Sequence, residues 1–418
     1  MLRVAVTGLT IGAGLWLASG FGIDPTNEPQ RLDFERFHLP SILLFAELPF
    51  IDAIADYPAA PFPLFYLLAG WIRWAAGSMH AVQAWSILLG VALLVCAAAL
   101  ARERFGRSRP HTGLLLAAVL MSPYFRGQSV HANTDILALV LAFGAIWAFG
   151  GETPRFPSRR AVLALALACC AVYTRQFYVF LPLYLFIRLY AASSWPARIS
   201  AGLFCATLAM PVVALVVFWG GVTPPRFREH ATAPSLDASI PAVILLLSFY
   251  AAPLAFVTAW HYRDKFVVEL WRPGFQVLAA PFLLLGLYLL LWGEGIPEVV
   301  GGGIPLHAVR GAPVADGVKR ALLAAGVAAG GIYLVYLIRQ DVLRNGIIAL
   351  IALCFFPTGI LYQRYFDPLM PLIYATVLST REMSIWSSRI SLVLIVALEL
   401  VVAAVGVAHY RAVFWGAG

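Results

Sequence analysis

The sequence predicts an all-α protein that crosses a membrane many times. Of its 418 residues, 61% are hydrophobic and 12% are charged, and a soluble core does not bury so much apolar surface. Apolar runs of about 20 residues, the length of a bilayer-spanning helix, recur along the chain. The basic residues stand between these runs and form no continuous basic face. The net charge of +8 therefore indicates membrane topology and not a nucleic-acid partner.

Seven of the apolar runs are long enough to be predicted as full spans: 4–22, 81–101, 198–219, 240–260, 274–292, 319–338 and 388–409. The first has the form of a signal peptide, but we expect it to remain as an uncleaved span. Shorter apolar runs occur in pairs, each joined by a polar hinge that carries an arginine: 112–124 with 133–150, 160–174 with 176–190, and 345–361 with 366–379.

The positive-inside rule gives a self-consistent topology. If the arginine-rich loop 102–109 is cytoplasmic, 17 of the 29 basic residues face the cytoplasm. This topology requires the run 62–77 to stay at the surface. Its prolines at the start and its residues Trp71, Arg73 and Trp74 are typical of an interfacial helix.

The predicted architecture is a single transmembrane domain over residues 1–418 with about 11–13 transmembrane helices. A first exoplasmic loop, 24–80, carries interfacial helices. A glycine-rich exoplasmic loop, 293–318, could close over a substrate, although a plain connector fits it equally well. The five cysteines lie inside apolar runs and are interpreted as small buried hydrophobic residues.

Acidic residues are concentrated in the first exoplasmic loop. Seven of the 21 acidic residues lie between residues 24 and 56, where they could form a solvated rim, a cation site or the acid and base of an enzyme. We favour the enzyme. Asp33 and Glu35, followed by His38, are the candidate catalytic carboxylates, and we expect only one of them to face the site because of their i, i+2 spacing.

Arginines in the three hinges are candidates to bind a phosphate, because guanidinium keeps its charge and binds phosphate through two hydrogen bonds. Arg175 and Arg364, with Gln176, are the predicted phosphate ligands. A snorkelling interfacial arginine is the alternative for each. Residues expected to orient the substrate are His38, Asp135, His131, Arg126 and Tyr365; for Asp135, helix N-capping is the competing interpretation.

Several of these segments resemble a known family. Glu35-Arg-Phe-His-Leu-Pro40, Asp56-Tyr-Pro58, Pro63-Leu-Phe-Tyr66, Thr174-Arg-Gln176 and Tyr362-Gln-Arg-Tyr-Phe-Asp-Pro368 are similar to motifs of the dolichyl-phosphate-glucose α-1,2-glucosyltransferases, members of the GT-C superfamily. That family usually has Asp-Glu before the Phe-His segment, whereas here Phe34 precedes Glu35.

The resemblance implies a GT-C-like fold and an inverting glycosyltransferase. A polyprenyl-phosphate sugar would be the donor, a lipid-linked or other glycan the acceptor, and membrane lipids the surroundings. Glu35 would be the base, with Asp33 in reserve. No cofactor is expected; a divalent cation is compatible with the carboxylates, but no metal-ligand spacing is visible.

Alternatives from other classes remain open: a transporter or lipid flippase, an O-antigen polymerase or ligase, and a structural subunit. A transporter predicts charged residues near mid-span, whereas here they gather at one face. The composition, rich in Ala, Arg and Gly, favours a bacterial inner membrane with the site facing the periplasm. An endoplasmic reticulum membrane with a lumenal site is the second choice.

Overall fold

The regular secondary structure in the part of the chain that the structure describes is helical, apart from one pair of two-residue parallel strands, β1 (Val300–Gly301) and β2 (Ile360–Leu361). The predicted all-α class is therefore confirmed. The structure is a computed structural model that describes residues 12, 15, 33–55, 57–105, 116, 119–120, 122–151, 153–230, 236–292, 300–301, 303–358, 360–361, 365–377, 394, 397–398, 400–401 and 404–405.

The chain divides into two compact units, Met1–Ala231 with Gly406–Gly418, and Thr232–Val405. The described helices of the first unit are α1 (Leu39–Glu47), α2 (Phe50–Ala55), α3 (Leu64–Ala76), α4 (Met79–Phe105), α5 (Pro123–Val130), α6 (Thr134–Phe149), α7 (Arg159–Thr174), α8 (Phe180–Ala192) and α9 (Trp195–Trp219). Three shorter turns accompany them: a π-helical turn at Phe34–His38 and 3-10 turns at Gln176–Val179 and Pro225–His230.

The second unit contains the remaining described helices: α10 (Leu236–His261), α11 (Arg263–Leu270), α12 (Pro273–Leu291), α13 (Gly303–Gly311), α14 (Asp316–Gln340), α15 (Val342–Asn345), α16 (Ile347–Phe355) and α17 (Met370–Val377), with a 3-10 turn at Asp367–Leu369. Helix α14 packs against α10 and α12. The segment predicted as a glycine-rich lid thus includes helix α13; its residues 293–299 lie outside the described residues.

Five described helices are long and apolar enough to cross a membrane: Met79–Arg104, Trp195–Trp219, Leu236–Trp260, Pro273–Leu291 and Asp316–Gln340. They confirm five of the seven predicted spans. The other two, 4–22 and 388–409, fall outside the described residues except at isolated positions. Four shorter apolar helices accompany them: Leu64–Ala76, Thr134–Phe149, Gln176–Ala192 and Val342–Phe355. These lengths and compositions make the chain a membrane protein.

The predicted first exoplasmic loop folds into three short helices. Helix α3 packs closely on α1 because Gly70 has no side chain: a Cβ there would lie 2.7 Å from Cβ of Phe45. Helix α3 ends at Gly77, whose φ of 68° is left-handed. The buried face of α3 includes Tyr66, while Trp71 and Trp74 are exposed. The segment is thus a 13-residue helix with one buried and one apolar exposed face, and its interfacial position stays a prediction.

Candidate functional site

The acidic segment of the first loop forms a π-helical turn, Phe34–His38, that leads directly into α1. Pro40 stands in the first turn of α1, where its missing N–H costs no hydrogen bond. The turn directs His38 inward, where it is 4% exposed, whereas Glu35 is half-buried and Arg36 is exposed. The turn thus places the imidazole of His38 in the interior and leaves the charged side chain of Arg36 in an exposed position.

His38 contacts a partner at each ring nitrogen. Its Nδ1 lies 2.8 Å from the hydroxyl oxygen of Tyr66 on α3. Its Nε2 lies 3.6 Å from Oδ2 of Asp33, whose side chain is 31% exposed. The arrangement is therefore a carboxylate–imidazole–phenol chain that runs from the edge of the turn to the buried face of α3.

Tyr66 is fully buried, and this controls its ionisation. Burial raises the pKa of the Tyr66 phenol well above its ordinary value; the nearby Arg175 lowers it, and Asp33 and Asp135 raise it. Because burial is the largest of these effects, Tyr66 keeps its proton throughout the physiological pH range. It is a neutral hydrogen-bonding group in the interior.

A buried ion pair lies in the same unit. Arg175 follows the last residue of α7, Asp135 lies in the first turn of α6, and Nε of Arg175 pairs with Oδ1 of Asp135. Both residues are 5% exposed. Gln128 on α5 donates from Nε2 to the other carboxylate oxygen of Asp135 at 3.1 Å. The pair has the additional hydrogen bond that a desolvated carboxylate needs.

Asn133, and not Asp135, caps α6. The side chain of Asn133 accepts a hydrogen bond of 2.9 Å from the backbone N–H of Asp135. This arrangement satisfies one of the unpaired amides at the helix start. The carboxylate of Asp135 is thereby available for Arg175, so the N-capping interpretation of Asp135 is wrong.

The two sets of contacts lie near each other, since α3, which carries Tyr66, packs against α6 and α7, and the charges of Asp33, Arg175 and Asp135 all affect the pKa of Tyr66. We call the group of Asp33, His38, Tyr66, Asp135, Arg175 and Gln128 the first-unit cluster. It brings carboxylates, an imidazole, a phenol and a guanidinium together in a largely buried setting, where electrostatic interactions are strong.

The proline-rich segment that precedes α3 is fixed to neighbouring helices by side chains. Gln176 donates from Nε2 to the carbonyl of Ala60 at 3.0 Å, and Tyr57 donates to the carbonyl of Pro61 at 2.6 Å. At the end of α9, the indole N–H of Trp219 donates to the carbonyl of Ile54 at 2.9 Å. Buried backbone carbonyls are thereby satisfied, and the connection into α3 has a defined path.

The structure brings four of the predicted site residues into the first-unit cluster: Asp33, His38, Asp135 and Arg175. Gln176 holds the adjacent proline-rich segment, and His131 is buried in the connection between α5 and α6. Tyr365 belongs to the second unit, where its ring stacks on Phe355 with centroids 6.5 Å apart.

Two predicted residues cannot be placed. The side chain of Arg126 and all of Arg364 lie outside the described residues, although the backbone of Arg126 belongs to α5. The Arg126 and Arg364 predictions therefore stay predictions.

Sequence reasoning missed Tyr66 and Gln128 as members of the cluster. Tyr66 appeared in the sequence analysis only as the last residue of the Pro63-Leu-Phe-Tyr66 segment, and a tyrosine is ordinary for an interfacial helix. The signal that could have identified it is a tyrosine hydroxyl on a predicted helix of the same loop as His38. Gln128 stands between Arg126 and His131 in a polar hinge, and its single amide gave no reason to prefer it over its neighbours.

Among the residues that the structure describes, three or more His, Cys, Asp or Glu side chains are nowhere grouped so that they could hold a metal ion. The chain matches no protein-family model, no curated protein sequence and no solved structure.

Proposed function

We propose that the protein is an inverting glycosyltransferase of GT-C type, which moves a sugar from a polyprenyl-phosphate donor to a lipid-linked or glycan acceptor at the exoplasmic membrane surface. The observation that carries this proposal is the first-unit cluster, where His38 of the acidic turn contacts Tyr66 and the charge of the buried Arg175 lowers the pKa of the same phenol. Transfer from a sugar phosphate needs a base and a cation. The cluster contains the arginine and the reserve base Asp33, and Glu35 lies in the same acidic turn.

The proposed reaction needs one base. Glu35, half-buried in the π-helical turn, removes the proton from the acceptor hydroxyl as its oxygen attacks the anomeric carbon. The bond between that carbon and the phosphate oxygen breaks, and the polyprenyl phosphate leaves with the electron pair. Attack opposite the leaving group inverts the anomeric centre. Asp33 is the reserve base, although its contact with His38 favours a positioning role.

Arg175 supplies positive charge for the leaving phosphate. A buried guanidinium stabilises developing negative charge strongly, because little water screens it. Asp135 holds the Nε side of Arg175 and thereby orients the guanidinium plane, and Gln128 orients Asp135. Asp135 is in this proposal an orienting residue for Arg175, which is a more specific role than the substrate contact predicted from sequence.

The surroundings of the cluster suit a lipid-linked substrate. Helix α3 exposes Leu67, Trp71 and Trp74, whereas Tyr66 is buried. Aromatic side chains of this kind settle at the boundary between headgroups and hydrocarbon. A phosphate at headgroup depth would then lie at the level of an interfacial helix. The proposal places this surface on the periplasmic side of a bacterial inner membrane.

A direct test measures transfer of radiolabelled sugar by the purified protein in lipid nanodiscs. Donors would be polyprenyl-phosphate glucose, mannose and arabinose, and acceptors membrane lipids and glycans. Wild type is compared with Glu35→Gln, with Asp33→Asn, and with the exposed-site control Glu47→Gln, which lies at the end of α1. We expect Glu35→Gln to lose at least about a hundredfold in rate and the control to retain wild-type activity.

The same experiment separates the rival classes. Wild-type turnover in Glu35→Gln with transfer abolished in Asp33→Asn would move the base to Asp33. Folded wild type that transfers no sugar from any of these donors would contradict the glycosyltransferase proposal. Donor-independent joining of lipid-linked glycans would favour a polymerase or ligase, and movement of labelled lipid between leaflets would favour a flippase.

A further inference from the structure

We propose that Asp33, His38 and Tyr66 form a positioning chain: Tyr66 fixes the tautomer of His38, and His38 holds Asp33 so that the π-helical turn closes around Glu35. The catalytic meaning of this chain rests on the proposed function, whereas its geometry can be tested without any activity. In this positioning chain Tyr66 orients the ring of His38, and His38 is a positioning residue and not a substrate contact.

The spacing of the two end residues of the turn is the first argument. Asp33 and His38 are five residues apart, and the backbone N–H of Leu39 bonds to the carbonyl of Phe34, also five residues back. In an α-helix, residues five apart point to different sides, because neighbours on one face are three or four apart. A π-helical turn, with its i to i+5 bonding, brings them to one side. The wider turn allows the observed 3.6 Å contact between Nε2 and Oδ2.

The identity of the partners gives the position of the ring proton. An ionised carboxylate accepts hydrogen bonds and donates none, so the nitrogen that faces Asp33 is the one suited to carry N–H. The other nitrogen, Nδ1, faces Tyr66 at 2.8 Å. Burial keeps the phenol protonated, as its raised pKa indicates, so Tyr66 donates its O–H to Nδ1. In this arrangement Nδ1 is the acceptor, and the N–H of the ring lies on Nε2, toward Asp33.

Both nitrogens of His38 are therefore engaged inside the protein. To take a proton from an acceptor hydroxyl, the ring would have to leave either Asp33 or Tyr66. A ring that is 4% exposed and stands close to the Tyr66 ring, with centroids 5.9 Å apart, acts more readily through its neighbours. Because His38 stands at the end of the turn and contacts Asp33 at its start, it fixes the backbone between these two residues. Glu35 is the carboxylate in that segment.

Buried aromatic side chains surround Tyr66 and hold its ring in place, as a positioning role requires. The ring of Tyr66 lies among Phe45, Tyr57 and Phe65, with ring centroids 6.4, 5.5 and 5.7 Å away, and all of these side chains are buried. Aromatic contacts of this kind leave a side chain little freedom. The phenol therefore presents a fixed O–H donor to His38, and the position of α3 on α1 is transmitted to the acidic turn.

The test uses full-length protein in nanodiscs with ¹⁵N-labelled histidine, and the readout is the pair of ring-nitrogen NMR signals of His38. The chain has eight histidines, so the His38 signals are assigned by their loss in His38→Gln. In wild type we expect an unprotonated, hydrogen-bonded Nδ1 and a protonated Nε2. In Tyr66→Phe we expect the Nδ1 signal to move away from its hydrogen-bonded position and the two tautomers to mix.

The matched control is Tyr57→Phe, which removes a buried hydroxyl from the same aromatic group. That hydroxyl bonds to Pro61 and not to His38, so the His38 signals should stay at their wild-type positions. Phenylalanine preserves the ring in both variants, and equal melting temperatures would show that packing is kept. A protonated Nδ1 in the wild type, or identical His38 signals in Tyr66→Phe and wild type, would overturn the proposal.

Kinetics then separate this inference from the proposed function. If the wild type transfers sugar, Tyr66→Phe should lower kcat about tenfold with little change in the donor KM, since one positioning hydrogen bond is lost, while Tyr57→Phe keeps kcat. Unchanged kcat in Tyr66→Phe would contradict the positioning role. A wild type without transferase activity would contradict the proposed function, and the NMR signals alone would then decide the proposed chain.

Discussion

Single residues in this protein act through partners that are distant in sequence. Asp135 and Arg175 were each predicted from the sequence as site residues, but their contact with each other was not, because nothing local joins residues separated by 40 positions. Tyr66 was not predicted at all, since its role depends on which histidine the packing of α3 brings to its hydroxyl. Sequence chemistry thus identified the types of group, and the three-dimensional structure identified their pairing.

The Asp135–Arg175 pair allows a stability prediction. Asp135→Asn leaves Arg175 as a buried charge without its carboxylate, and Arg175→Gln does the reverse, so each change should cost about 3–5 kcal/mol in the free energy of unfolding. The double variant should lose much less than the sum of the two, because it buries no uncompensated charge. Thermal melting of purified protein in one detergent measures all four proteins of the cycle.

An exposed pair provides the comparison. Arg160, whose side chain is 58% exposed, pairs with Glu103, and surface pairs contribute at most about 1 kcal/mol. Glu103→Gln should therefore shift the melting temperature far less than Asp135→Asn. Additive losses in the Asp135 and Arg175 cycle would show that the two side chains do not form a coupled pair.

At the scale of helices, hydrophobic length was a reliable guide where a run exceeded the thickness of a bilayer. The apolar runs that predicted α4, α9, α10, α12 and α14 all form helices of at least 19 residues. The shorter runs, which form helices of 13 to 17 residues, were harder to interpret, because such lengths suit an interfacial, a buried or a tilted helix equally. The π-helical turn was not predictable, since it depends on contacts of Asp33 and His38 with the folded loop.

The contact of α3 with α1 predicts an effect of a single methyl group. In Gly70→Ala the new Cβ would meet Cβ and the backbone carbon of Phe45 at 2.7 and 2.8 Å, and backbone atoms cannot move aside cheaply. We expect a loss of about 1–3 kcal/mol, a lower melting temperature, and displaced His38 signals, because Tyr66 lies on the shifted helix.

Gly202→Ala is the matched control for this change. Gly202 lies within α9, where a Cβ would meet no atom within 4 Å, and alanine is the better helix former. Its melting temperature should equal or slightly exceed that of wild type. A Gly70→Ala protein as stable as Gly202→Ala would mean that α3 is free to move away from α1.

At the scale of the whole molecule, the distribution of arginines predicts the side of the membrane on which the candidate site lies. The same distribution requires that α3 does not cross the bilayer. Its 13 residues would extend about 20 Å as a helix, shorter than the hydrocarbon core of about 30 Å. The exposed Trp71 and Trp74 suit the interface. Both ends of α3 should therefore face the same compartment as the acidic turn.

Substituted-cysteine labelling tests this topology. In a variant without the five native cysteines, Glu47→Cys and Ala76→Cys place thiols at exposed positions before and at the end of α3. Ser194→Cys places one in the exposed connection between α8 and α9, beside the predicted cytoplasmic arginines. In intact spheroplasts a membrane-impermeant maleimide should label the first two, and it should label Ser194→Cys only after permeabilisation. Labelling of Glu47→Cys and Ala76→Cys from opposite sides would show that α3 crosses the membrane. One additional crossing at α3 would place every later loop on the side opposite to the predicted one.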